Sequence, residues 1–203
     1  MKLKRIFTLA LTGALVFSSS TIVFAAESDY SNYKQNIEIS NEQISSEINM
    51  NTLDLTQPIK ITKEQVKDNG EVVIVTSEFK PNKNYNSNIL SRGTVTGTAS
   101  VGSWKTTVSN IAGSMSFEYD LSKSGSNWKI SNARNFSLSV VLSTISNKSL
   151  TINRSTSTAS FPAEVYANAD INVLDTTWGS GATVNAWIKV TVSNSGVITT
   201  THN

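Results

Sequence analysis

Cysteine is absent from this chain, and histidine occurs once, as His202, second from the end. Lack of cysteine excludes disulfides, thiolate chemistry and a lipid-modified cysteine behind a leader, so the folded protein rests on burial alone. One histidine cannot supply the clustered ligands of a zinc site. A Ser-His-Asp triad fails on the same count, because His202 lies in a C-terminal tail expected to fray and no G-x-S-x-G elbow occurs. Long apolar runs are missing after Ala25, where none approaches the roughly 20 residues needed to span a bilayer.

Charge is also scarce, at 16% of residues. The formal charge of +2 includes Lys2, Lys4 and Arg5; without these three, 14 basic side chains face 15 acidic ones, near −1. Residues 26–90 carry ten acids against six lysines, and residues 91–203 five acids against eight basic side chains. A nucleic-acid binder concentrates Lys and Arg on one face. Here Arg92, Lys105, Lys123, Lys129, Arg134, Lys148, Arg154 and Lys189 are spread along the chain, so no nucleic-acid partner is expected.

What is present begins with the leader. Lys2, Lys4 and Arg5 precede a nearly uncharged run from Ile6 to Phe24, and Val23-Phe24-Ala25 has the small-residue pattern of a signal-peptidase site. The expectation is export and a secreted, extracellular protein, with an uncleaved anchor as the alternative. Residues 26–58 are rich in Ser, Asn, Gln and Glu with isolated apolar residues, and read as a flexible arm, with a short helix near residues 41–49. Residues 59–90 read as a helical turn at Thr62–Gln65, which has capping-box spacing, followed by a strand over Val72–Phe79 and a polar loop from Pro81.

The compact unit is expected over residues 91–203, where 48 of 113 residues are Ser, Thr or Asn. Apolar residues alternate with them, and period two means strands with one buried and one watered face. Met115, Phe117, Tyr119 and Leu121 share one parity, as do Phe136, Leu138, Val140 and Leu142. The longest alternations run from Phe161 to Val173 and from Val184 to Val192. They place Val165, Ala167, Ile171, Ile188, Val190 and Val192 inside and Asn168, Asp170, Lys189 and Thr191 in water. Turns are expected at Lys123–Ser126, Ser146–Lys148, Trp178–Gly181 and Asn194–Gly196. The fold class is all-β: an antiparallel sandwich or barrel-like domain of about seven to nine strands.

Tyr166 and Trp187 break this pattern, since both fall on the polar parity of their strands. A large aromatic there is either covered by the arm or a second sheet, or offered to a ligand. With Trp178 in a Gly-rich loop, they are the candidate binding residues. Glu118 and Asp120 read as solvated strand charges rather than a glycosidase pair. Asn168, Asp170 and Asn172 share a face with Asp175 just beyond, a spacing that suits calcium ligands but lacks the Gly-turned loop of a calcium-binding hand. No cofactor or metal is implied.

Val95-Thr96-Gly97 through Ser103-Trp104-Lys105, Met115-Ser116-Phe117, Ile130-Ser131-Asn132-Ala133 and the strand after Ser195-Gly196 resemble small secreted β-domain proteins of Gram-positive bacteria that have no assigned function. The resemblance covers residues 91–203, implies a compact extracellular β-domain and carries over no catalytic residue. The expected function is a non-enzymatic binding or surface-interaction module, with cell-wall glycan or a surface protein as partner. The alternative is a β-pore-forming protein, the one reading that involves a membrane, in which residues 136–158 form an amphipathic insertion hairpin.

Overall fold

A computed structural model describes residues 43–83, 95–173 and 182–203, with backbone alone for 95–99. These residues belong to one compact unit, Ile39–Asn203. The strands are β1 (Ile44–Asn49), β2 (Ile59–Val66), β3 (Val72–Pro81), β4 (Val95–Ser109), β5 (Gly113–Gly125), β6 (Asn127–Val140), β7 (Ser143–Arg154), β8 (Ala163–Val173), β9 (Thr183–Val192) and β10 (Val197–His202). They form two antiparallel five-stranded sheets, β1-β10-β9-β8-β7 (sheet A) and β2-β3-β4-β5-β6 (sheet B). The all-β sandwich read from the sequence is therefore the architecture, with ten strands among the described residues instead of seven to nine.

Alternation explains why these residues form strands. In β8 the inward Ala163, Val165, Ala167 and Ala169 are buried, and in β9 Ile188, Val190 and Val192 are. Sheet B opposes them with larger side chains, Phe79, Trp104, Phe117, Tyr119, Leu121 and Ile130, each nearly or wholly inaccessible. Both inner faces join a single apolar cluster. Ile171 departs from the expected burial and is half-buried, because it lies where the two sheets part around a cavity.

Several expectations are corrected. The polar arm does not extend to residue 58, and the folded body does not begin near residue 91. Ile44–Asn49, read as arm or short helix, is β1, which pairs along its whole length with β10. Ile48, Met50 and Leu55 are buried in the common core, so isolated apolar residues suffice once a partner strand is supplied. Thr62–Gln65 lies within β2, paired with β3, and the alternation of Ile59 and Ile61 against Lys60 and Thr62 overrides the capping signal. His202 does not fray: it ends a strand held between β1 and β9 and is 1% exposed.

Ser146–Lys148 is a bulge rather than a turn. The register with β8 shifts between Ser146 and Ser149, and Asn147 takes the extra residue at a φ of +50°, a conformation Asn tolerates better than most side chains. Nor do residues 136–158 form a hairpin. Phe136–Val140 complete β6 against β5, Ser143–Arg154 pair with β8, and the Val141–Leu142 turn steps from one sheet to the other. Phe136 and Leu138 on β6 and Leu150 and Ile152 on β7 are partly buried against the core, whereas Leu142, expected on the same inward parity, is exposed in the turn.

Removing β1 tests the corrected boundary. Burial of Ile48, Met50 and Leu55 is worth about 1.5–3 kcal/mol each, and total domain stabilities are about 5–15 kcal/mol. A chain beginning at residue 59 should therefore lose cooperative unfolding in circular dichroism melts. Retention of the full-length midpoint would return residues 43–58 to the status of a dispensable arm.

Candidate functional site

The two outer faces of the sandwich carry different chemistry. On sheet B the register aligns Lys60, Glu78, Lys105, Glu118 and Arg134 in one row across all five strands. Charges of opposite sign thus stand side by side, with Lys60 Nζ 3.0 Å from Glu78 and Arg134 Nε 3.5 Å from Glu118. Arg134 also reaches Asp120 at 2.9 Å, whose carboxylate accepts from Ser103 and from Asn132 at 2.8 Å. Burial pushes the Asp120 carboxyl up, but the Ser103 hydroxyl, the Asn132 amide and Arg134 together outweigh it and hold the group below its usual value. A glycosidase acid needs its carboxyl raised. Glu118 and Asp120 instead share one guanidinium, as suits a solvated strand face.

The outer face of sheet A carries the aromatics. β8 and β9 pair in the register Tyr166–Lys189, Asn168–Trp187 and Asp170–Asn185, so Tyr166 and Trp187 are diagonal neighbours across the pair. Their ring centroids stand 6.0 Å apart with 30° between planes. Both side chains are partly accessible; they cover each other's flank and keep a share of their surface in water. Burial raises the Tyr166 hydroxyl above its usual value, so it is a neutral donor near pH 7.

Amides and hydroxyls frame the rings. Asp170 accepts from Asn147 Nδ2 at 2.7 Å and from Asn185 Nδ2 at 2.8 Å, and these two bonds lower its carboxyl below the usual range. Asn172 accepts from the Thr183 hydroxyl at 2.7 Å and donates to Ser146 at 3.2 Å. Asn203 clamps β9, accepting from Trp187 N at 3.0 Å and donating to Asn185 O at 2.7 Å. The bulge that puts Asn147 within reach of Asp170 therefore belongs to the site, as does the C-terminal residue.

Of the three binding residues expected from sequence, Tyr166 and Trp187 come together and Trp178 lies outside the described residues. So does Asp175, the fourth oxygen of the calcium reading, and among the described residues no group of three or more His, Asp or Glu side chains could hold a metal ion. Trp104 and Trp128 are core residues, 0% and 2% exposed. Asn147, Asn185 and Asn203 were not singled out; their roles follow from a bulge, a register and a chain end, none of which periodicity reveals.

Such a face can do a particular kind of chemistry. The accessible parts of two stacked rings favour the C–H face of a flat, weakly polar ring, while surrounding amides exchange hydrogen bonds with hydroxyl or acetamido groups. Its charges are of both signs, with Lys189 opposite Tyr166 and Glu164 and Asp170 on β8.

No protein-family model matches this chain, and no curated protein matches it. Among solved structures it is similar to a hypothetical protein, lmo2686, of Listeria monocytogenes EGD-e, at 17% identity and a TM-score of 0.39, over 71% of this chain and 95% of that one. A likeness at that score adds nothing to the fold seen directly.

His202 lies beneath this face, at the same end of the core. Its Nε2 is 3.4 Å from Gln65 Oε1 on β2 and its Nδ1 is 3.3 Å from Asn203 O. Burial lowers its pKa from 6.5, aided by Lys67 and opposed by the Asn203 carbonyl and Glu71. A depressed folded value means the unfolded chain takes the proton first, so the stability His202 contributes is complete above about pH 6.5 and is lost as pH falls through the folded pKa. The melting midpoint should fall between pH 7 and 5 in the native chain and fall less in His202→Gln. Equal slopes in the two proteins would assign the acid sensitivity elsewhere.

Proposed function

We propose that this chain is a secreted, non-enzymatic binding module that recognises a neutral polymer at the cell surface, with cell-wall glycan as the preferred partner and a surface protein as the second. One observation carries the reading: two large aromatic side chains on the water side of a sheet, stacked at 6.0 Å and framed by hydrogen-bonded amides. The inner face of sheet A already has its apolar residues, so Tyr166 and Trp187 are not needed for the core. Side chains kept partly exposed at a cost in solubility are explained by a ligand that covers them.

The N-terminal pattern supports an extracellular setting: the basic start, the apolar run from Ile6 to Phe24 and the Val23-Phe24-Ala25 pattern suit a signal peptide. A non-catalytic role is favoured by Glu118 and Asp120 being tied to Arg134 and by Asp170 being tied to two asparagines.

Sedimentation with purified cell walls measures the binding. Trp187→Ala together with Tyr166→Ala should weaken it at least tenfold, about 1.4 kcal/mol, with the fold intact because neither ring belongs to the core. Lys60→Ala, on the opposite sheet, should change nothing. Undiminished binding by the double variant would remove this face as the site.

A further inference from the structure

The chain's exposed apolar side chains are concentrated at one end of the sandwich. Among the described residues seven large apolar side chains are exposed, and six of them, Val66, Val72, Ile74, Ile111, Val141 and Leu142, belong to the β2–β3, β4–β5 and β6–β7 turns or the strand ends beside them. Register and hydrogen bonds bring these turns together: Ile74 pairs with Ser109, Gly113 pairs with Val140, and Val141 N donates to Ala112 O at 3.0 Å. Ile111 is 97% exposed, so none of the described residues covers it. The seventh, Phe161, sits at the other end with the Arg154 guanidinium 5.1 Å from its ring.

Several polar groups of these turns are paired internally. Asn110 Oδ1 accepts from Ala112 N and Gly113 N at 3.0 and 2.9 Å, and Asn110 N donates to Gly113 O at 2.9 Å. In the β2–β3 turn Lys67 N donates to Glu71 O at 2.9 Å and Gly70 N to Lys67 O at 2.8 Å, while Asn69 Oδ1 accepts from Glu71 N at 2.9 Å. Lys67 Nζ is 3.2 Å from Glu71 and Asn110 donates to the same carboxylate, while Asp68 is an exposed carboxylate of the β2–β3 turn. Apolar surface continues behind the tips into a cavity of about 120 Å³ between the sheets, walled by Val73, Val108, Met115, Leu138 and Ile188.

We infer that this end docks shallowly into the interfacial layer of a lipid bilayer, with Ile111, Val141 and Leu142 entering the acyl region. Separate protruding tips need no shape-matched partner to be buried by lipid, and the bonds made by Asn110 N and Val141 N pair part of the turn backbone internally, as a low-dielectric layer demands. Among the described residues this end has one lysine, Lys67, paired to Glu71, and no cluster of basic residues, so attraction to anionic headgroups is not the driving force. The tips are separate from the Tyr166–Trp187 face, although Trp187 and Asn203 also border the cavity behind them, and docking by short turns leaves every strand in place.

Vesicle sedimentation decides it, using protein purified after export with removal of residues 1–25 confirmed by mass. Phosphatidylcholine vesicles should carry the protein down, and about 0.5 M salt, which screens surface charge, should not release it. Ile111→Asp with Leu142→Asp should bind at least tenfold more weakly while melting as before; both positions are exposed, and Leu142, at a φ of +51°, stands where Asp is better tolerated than Leu. The inference is overturned by any of four results: no sedimentation with the vesicles, sedimentation unchanged in the variant, binding that requires anionic lipid and is abolished by salt, or a native dimer that the variant turns into a monomer, which would make a second copy the occupant. Cell-wall binding by the Asp variant should stay at the native level, which separates this inference from the reading of the aromatic face.

Discussion

Packing of a bulky inner face against a small one holds this molecule together. Sheet B presents Phe79, Trp104, Phe117, Tyr119 and Trp128 inward, and sheet A meets them with Ala163, Val165, Ala167, Ala169 and Val190. Large rings fill the space that alanines leave, so two sheets close over one core without cysteine. Little room is left for variation: at Gly102 an added Cβ would lie 2.3 Å from Lys80 O and 2.6 Å from the Phe79 ring. That glycine stands at a register shift of β4 against β5, where close approach of the backbone lets the Phe79 ring sit beside it.

Everything on the outer faces follows from that closure. With the inner parity fixed, every alternate residue must point to water, and a slip of one residue would exchange the two sets. On sheet B the outward set is a row of alternating charges that largely neutralise one another. On sheet A it is Asn, Thr, the two aromatics and the charged Glu164, Asp170 and Lys189. The same constraint thus produces one face that is electrostatically self-satisfied and one that retains unfilled capacity for contact, and the second is where a binding function finds its support.

Much of this could be read from residues alone where the pattern is long. The alternations of β8 and β9 marked their strands, their burial and the misplaced parity of Tyr166 and Trp187. Short or edge elements could not be read in this way. β1, Ile-Ser-Ser-Glu-Ile-Asn, has too few apolar residues to announce itself and becomes a strand because β10, some 150 positions away, supplies its partner. β2 carried a local helical signal, yet its Lys63 and Gln65 side chains reach across to the Glu47 and Ser45 carbonyls of β1, a bond between sheet edges that only tertiary structure creates. The β6–β7 turn was missed because Val141 and Leu142 lack turn chemistry, while Ser-Asn-Lys, which has it, serves as a bulge. In the candidate site the rings were legible and their frame was not, since Asn147, Asn185 and Asn203 converge through a bulge, a register and a terminus.

Binding on the aromatic face of sheet A is the central functional claim, and mapping by nuclear magnetic resonance tests it most directly. Soluble cell-wall fragments would be titrated into the isotope-labelled chain. Shifts should concentrate on Tyr166, Asn168, Asp170, Asn185, Trp187 and Asn203, with the Lys60–Glu78–Lys105 row unmoved. Perturbations gathered on sheet B, or no perturbation at saturating fragment, would contradict recognition by this face.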